Sequence, residues 1–294
     1  MPFTHSPCWV KCSDDLVSPE TIGEVYGSVN GVFTSTTMAG PGVAFDDGSA
    51  FDGAVDIRAA SLIGDLHRRE GKNRQDAYAV NVSEGSRRLD LVVCDGVGSR
   101  SAGGVGAAIV ATAVATTASS GGIDPVRTAI DRVHSVARDQ RMPPVELSTT
   151  LVWASFTIGR PYERWKGRLV QYGDGDARVL RVSDREWLPI VEDAPGATTE
   201  PESFALPEAV APARVCEIYW EPGEVFALGT DGISPHLDSQ TYVGYMLANQ
   251  WSRVPNRWQF LSSLAFRTPG GGDDRTLIAL WRHEGNGDVS QSRP

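Results

Sequence analysis

Long apolar runs are missing from this 294-residue chain. A membrane-crossing helix needs roughly 20 consecutive apolar residues, and the longest weakly polar segment, Val105 to Ala118, is short and rich in Ala and Thr. No membrane partner is expected. The amino terminus, MPFTHSPCWVKCSDD, carries no charged leader followed by an apolar stretch, so a cytoplasmic location is the expectation. Cysteine is scarce as well. Cys8, Cys12, Cys94 and Cys216 form neither a CxxC pair nor the spacing of a disulfide framework, and no Cys/His pair follows to complete a zinc site. That usage suits a reducing compartment, and Cys94, inside an apolar run, reads as a small buried hydrophobe. Positive charge is in deficit: 27 Lys and Arg stand against 37 Asp and Glu, a net charge of −10 with a pI near 5.0. Such a chain is poorly suited to holding a phosphate backbone by counterion release, so nucleic acid is excluded as the expected partner.

What is present is ordinary for a soluble globular chain, with 41% hydrophobic and 22% charged residues. Residues 1–54 are rich in Gly, Ser, Thr and Pro without sustained periodicity, which predicts an irregular arm. From Val55 to Glu284 the texture is that of a folded domain, and residues 285–294 read as a polar tail. VDIRAASLIG, DAYAVNVS and RLDLVVCDG have the length and composition of strands. Two helices follow. The first, SAGGVGAAIVATAVATTA, is apolar all round and therefore packed between other elements; the second, DPVRTAIDRVHSVARDQR, starts with Asp124 as N-cap and Pro125 at its first position. Strands resume at TTLVWASFTIG, and GRLVQYGDG with ARVLRVSD reads as a hairpin around GDGD. ARVCEIYWEPGEVFALGTDG holds two more strands, QTYVGYMLANQWSR and RWQFLSSLAFR are helical, and DDRTLIALWR is a last strand. Strands, helices, strands, helices and a strand make a layered α+β arrangement with mostly antiparallel sheets.

One arrangement occurs twice: LVVCDG and FALGTDG each run apolar and end in Asp-Gly, at Asp95-Gly96 and Asp231-Gly232. Asp76 opens a strand, and Asp273 with Asp274 precedes another. If these strands neighbour one another in antiparallel order, starts and ends share an edge and the acids converge. Clustered carboxylates are costly unless neutralised, and a hard divalent cation such as Mg²⁺ or Mn²⁺ does this with oxygen ligands. Asp-Gly is also a common turn dipeptide, so each site alone reads as a turn.

The ordered set GKNRQDAYAV, LVVCDGVGSRSAGG, STTLVWA, YGDGDARVL, FALGTDG and DDRTLIAL resembles the motif series of the metal-dependent type 2C protein serine/threonine phosphatases, across about Val55 to Trp281. The resemblance implies a four-layer α-β-β-α sandwich, two antiparallel sheets flanked by helices, with a binuclear Mn²⁺ or Mg²⁺ centre in a cleft at one edge. It implies that Asp95 bridges both metals, that Asp76 and the Gly96 carbonyl serve one, and that Asp231 with Asp273 holds the other. Water then attacks a phosphoserine or phosphothreonine directly, on a protein phosphorylated by a bacterial-type kinase. Asp174 matches a further family aspartate and implies a third, weaker metal. Departures from the family pattern are Gln75 for an acid before Asp76, Gly71 for a phosphate-binding Arg, Val97 for a His after Asp-Gly, and Pro235 for an acid after Asp231. Lys72, Arg74 and Arg69 are the substitutes expected to bind phosphate, and Gln75 and Asp274 are expected to sit behind the ligands. Thr149 and Thr150 are expected to satisfy backbone groups, and Arg178 to pair with a nearby carboxylate. His67 and His134 are expected at the surface or behind the ligands, and the tryptophans in packing. A phosphatase-like module that binds phosphoproteins without turnover is the rival reading; retention of all four core aspartates favours the enzyme.

Overall fold

A computed structural model describes residues 30–34, 42–118, 124–191, 205–209, 213–268 and 272–283. Cys8, Cys12 and the polar tail lie outside the described residues. In chain order the strands are β1 (Gly31–Thr34), β2 (Val43–Ala50), β3 (Val55–Leu62), β4 (Asp76–Ser83), β5 (Arg88–Asp95), β6 (Leu151–Thr157), β7 (Trp165–Tyr172), β8 (Asp176–Arg181), β9 (Glu186–Pro189), β10 (Arg214–Trp220), β11 (Glu224–Gly229) and β12 (Arg275–Arg282). The helices are α1 (Asp65–Arg69), α2 (Gly103–Ala118), α3 (Pro125–Gln140), α4 (Tyr242–Gln250) and α5 (Arg257–Leu264).

The strands form two six-stranded sheets, ordered β1-β4-β5-β6-β7-β10 and β2-β3-β12-β11-β8-β9, with every pair antiparallel. Both faces of the central strands are covered, which is why β3, β4, β5, β11 and β12 read as apolar runs, whereas β7 and β10 at one edge alternate and keep an exposed face. β4 illustrates this. Tyr78, Val80 and Val82 point into the core between the sheets with Leu91 and Val93, whereas Ala77 and Ala79 join Val92 and Cys94 under the outer helices. Small residues line that outer face, and α2, itself built of Ala and Gly, settles closely on it. A third cluster, with Trp187, Trp251, Trp281 and Phe260, fills the space between the second sheet and α4 and α5. The four-layer sandwich follows from these three cores.

α3 is bounded as its sequence predicts: the Asp124 side chain accepts hydrogen bonds from Val126 N and Arg127 N, and Val126, Val133 and Ala137 are buried. Three features differ from the sequence reading. Gly31–Thr34 and Val43–Ala50, placed in an irregular arm, are edge strands, one on each sheet; pairing with β4 and β3 decides their conformation, not local pattern. GDGD does not close a hairpin. β7 and β8 belong to different sheets, and the segment carries the chain across the sandwich, with Gly173 at φ +99° and a Cβ on Gly175 falling 3.0 Å from the Gly229 carbonyl. The polar stretch DLHRR forms α1. No helix among the described residues is long and apolar enough to cross a membrane.

Candidate metal centre

Asp76, first residue of β4, and Asp95, last residue of β5, are direct cross-strand partners. Antiparallel pairing thus places two carboxylates side by side where a strand starts and its neighbour ends. Two threonines hold the backbone there. Thr150 N donates to Asp95 O at 2.8 Å, Asp95 N donates to Thr150 Oγ1 at 3.1 Å, and Thr149 Oγ1 donates to Asp95 O at 2.8 Å. Their expected role of satisfying backbone groups is the one they have.

The second pair of acids comes from the other sheet, where β11 and β12 are neighbours. Asp231 follows β11 and Asp273 precedes β12. Thr230 joins the two sheets: its hydroxyl donates to Asp76 Oδ2 at 2.7 Å and accepts from Thr276 N at 3.1 Å. Nothing in the sequence pattern singled Thr230 out, although it stands directly before an Asp-Gly.

The glycines after Asp95 and Asp231 have a common cause. A Cβ on Gly96 would lie 2.3 Å from the Gly103 carbonyl carbon, and one on Gly232 would lie 1.8 Å from the Asp274 carbonyl oxygen. Another stretch of backbone passes against each of these glycines, and a side chain there would have no room.

Electrostatically the acids act as one group. Burial, then repulsion from Asp274, drives the Asp76 carboxyl well above the ordinary range, with Thr230 and Asp95 opposing. Asp95 retains some exposed surface, yet its carboxyl is closely surrounded, and burial followed by Asp76 and Asp231 raises it well above the ordinary range too. Asp231 is pushed up to about 6 by burial, then by Asp174 and Asp273. Asp95 is the hub, hydrogen-bonded to both Asp76 and Asp231. No three His, Cys, Asp or Glu side chains among the described residues stand together as a ready-made metal cage. The acids meet pairwise around Asp95 instead, an all-oxygen donor set whose mutual repulsion a hard divalent cation would relieve. The residues fit such an ion. Gln75 Oε1, beside Asp76, is buried without a partner among the described residues, as a group facing an ion's water shell would be.

Asp274 does different work. Its Oδ1 accepts from Gly64 N at 2.7 Å and bonds His67 Nδ1 at 3.0 Å, and its Oδ2 accepts from Gln75 N at 2.5 Å. It clamps the loop after β3, α1 and the entry to β4 into one piece behind the acids. His67 is buried in this clamp, while His134 is partly buried on α3. Arg178 pairs with Asp176 at 3.0 Å.

The three cations expected at phosphate are dispersed. Arg74 is 5% exposed and donates to Asp76 O and Ser61 O, so it fixes the start of β4. Lys72 pairs with Glu70 at 2.8 Å and lines a 360 Å³ cavity with Gln75, Gly98 and Arg100. Arg69 lines a separate 610 Å³ cleft that contains Asp231, Gly232 and Asp273. Arg267, Arg275 and His236 join that cleft, and sequence reasoning singled out none of them.

The family model for Protein phosphatase 2C matches residues 63–263. The chain belongs to the protein phosphatase 2C family. Similar solved structures include the Mycobacterium tuberculosis serine/threonine phosphatase PstP, 20% identical over 78% of this chain and 99% of that one, with a TM-score of 0.52. The S. agalactiae serine/threonine phosphatase is 15% identical over 78% of this chain and all (100%) of its own, with a TM-score of 0.55. RsbX, solved in complex with magnesium, is 16% identical over 81% of this chain and 98% of its own, with a TM-score of 0.52. These likenesses are to the fold. No curated protein matches the chain in sequence. Against the family pattern, Val97 is held by its backbone, its N–H donating to Ser148 O at 3.0 Å, and Pro235 lies in the 3-10 turn Ser234–His236 after Asp231.

Proposed function

We propose that this family member hydrolyses phosphoserine and phosphothreonine in proteins, using two Mn²⁺ or Mg²⁺ ions held by Asp76, Asp95, the Gly96 carbonyl, Asp231 and Asp273. A third, weaker ion would take Asp174. The observation that carries the reading is the convergence of Asp76 and Asp95 from one sheet with Asp231 from the other. Bound there, divalent ions supply charge neutralisation and a water of lowered pKa aimed at phosphorus. The protein's part is positional. Thr149 and Thr150 fix Asp95, Thr230 orients Asp76, and Asp274 locks the loop from which Gln75 reaches the outer shell. Val97 offers no proton, so protonation of the departing serine or threonine oxygen does not come from the side chain after Asp-Gly. The protein is proposed to act in the cytoplasm, on proteins phosphorylated by a bacterial serine/threonine kinase.

The test is hydrolysis of p-nitrophenyl phosphate and a phosphothreonine peptide with Mn²⁺. Asp95→Ala and Asp231→Ala are expected to lower turnover at least about a hundredfold, beyond the loss caused by outer-shell partners. Wild-type turnover no higher than that of either variant, with phosphoprotein binding retained, would establish a binding module instead. Faster cleavage of bis-p-nitrophenyl phosphate would point to a phosphodiesterase.

A further inference from the structure

The 610 Å³ cleft gathers acidic and guanidinium groups in equal number. Its acids are Asp65, Asp231 and Asp273, and its guanidinium groups are those of Arg69, Arg267 and Arg275. Burial, then Arg275, holds the His236 imidazole below its ordinary pKa. The side chains therefore balance until a divalent cation occupies the acids, after which the cleft is net positive. A single phosphoryl group meets the cations, and the arginines remain to be matched.

Arg275 is already committed. Its Nη1 donates to Leu264 O at 3.2 Å and Phe266 O at 2.5 Å, and its guanidinium carbon lies 4.1 Å from the Phe266 ring centroid. These contacts anchor the segment after α5 to the start of β12 and so position Arg267 on the cleft wall. Arg267 is 84% exposed, and its one partner among the described residues is Asp65 at 3.3 Å. An exposed pair of this kind is screened and readily exchanged for another anion. The side chain of Arg69, exposed on the same cleft, makes no hydrogen bond or ion pair among the described residues. The guanidinium fork suits a carboxylate or a phosphate equally.

We infer that Arg267 is a specificity determinant: it binds a second anionic group beside the phosphorylated residue, so that acidic or multiply phosphorylated segments are the preferred substrate class. The inference rests on the phosphatase reading for its first phosphoryl group. It is tested with phosphothreonine peptides flanked by Glu, by a second phosphothreonine, by Ala or by Lys. Each protein is normalised to its own Ala-flanked peptide. The wild type is expected to favour the Glu-flanked or doubly phosphorylated peptide in kcat/KM by about three- to tenfold, between the effects of screened and charge-assisted pairs. Arg267→Ala should abolish the preference, Arg267→Lys should keep part of it, and Arg267→Glu should turn it toward Lys. The two anionic arms separate carboxylate from phosphate recognition. Fluorescence anisotropy with non-hydrolysable phosphonate versions of the same peptides reads the preference without turnover. A preference unchanged in Arg267→Ala, or an equal loss on every peptide, would overturn the inference. Flank-dependent binding with no hydrolysis of any peptide would instead remove the hydrolase reading and leave the role of Arg267 standing.

Discussion

Asp95, proposed to hold both metal ions, is fixed closely by its neighbours. Its backbone is bonded through Thr149 and Thr150, and its carboxyl lies between Asp76 and Asp231. Thr230 is the less obvious partner. Removing its hydroxyl leaves Asp76 Oδ2 without its donor in a buried site, so Thr230→Val should weaken Mn²⁺ binding by about 10–100-fold, the range for outer-shell partners. Thr230→Ser should retain affinity, and calorimetric titration of the folded proteins with Mn²⁺ distinguishes the two. Glycine positions give a cleaner contrast. Gly232→Ala drives a Cβ into the Asp274 carbonyl, so it is expected to cost at least about 1–3 kcal/mol of stability. Gly85→Ala meets nothing within 4 Å and should stay within about 0.5 kcal/mol of wild type. Equal denaturation midpoints for the two would refute the close-approach account.

Among the elements, edges and caps are where the chain commits. β12 runs on to His283, whose Nε2 lies 2.6 Å from Asp56 Oδ2 on the neighbouring strand β3. The Asp56 hydrogen bond raises the His283 pKa, and partial burial opposes it. A histidine whose folded pKa is raised contributes stability that is complete below its unfolded value and is lost as pH rises through the folded value. The melting temperature of the wild type should therefore exceed that of His283→Ala at about pH 5.5 and converge with it by about pH 9. A gap independent of pH would mean that packing, not charge, joins the strands. At α3, Asp124→Ala removes an acceptor from two N–H groups and should cost about 0.5–2 kcal/mol by chemical denaturation.

For the whole molecule, a metal held by the acid cluster would be linked to folding. Buried carboxylates with raised pKa values oppose folding when ionised, and a cation bound only by the folded state reverses this. Mn²⁺ at a hundred times its dissociation constant should stabilise the fold by about 2.7 kcal/mol. That corresponds to a rise of about 5–10 °C in melting temperature for a domain of this size. Differential scanning fluorimetry with Mn²⁺ and with a chelator measures it, and Asp95→Asn should lose the rise. An unchanged wild-type melting temperature would argue against the centre. Within this acidic chain, three arginines, Arg69, Arg267 and Arg275, stand together along one cleft.

Most element types and the family were legible along the chain, because both depend on near neighbours. Apolar runs of strand length, the Asp124-Pro125 start and two Asp-Gly strand ends each carry their meaning within about ten residues, and the order of the motifs pointed to the family. Sheet membership did not. GDGD has the chemistry of a hairpin turn, yet β7 and β8 part into opposite sheets, β7 pairing with β6 and β10 and β8 with β11 and β9, of which β10 and β11 are remote in the chain. Residues 31–34 and 43–50 carry no strand pattern and become strands only because β4 and β3 present free edges. Side-chain fate likewise waited on packing. Arg74, a plausible phosphate ligand by position, is consumed by buried carbonyls; Asp274 is a loop clamp; and Arg267, unremarkable in sequence, meets Asp65 across 202 positions at the rim of the cleft. The sequence by itself determined which groups were available, and the tertiary structure decided which of them remain free to act, since burial and backbone hydrogen bonding claim side chains through contacts that no local pattern records.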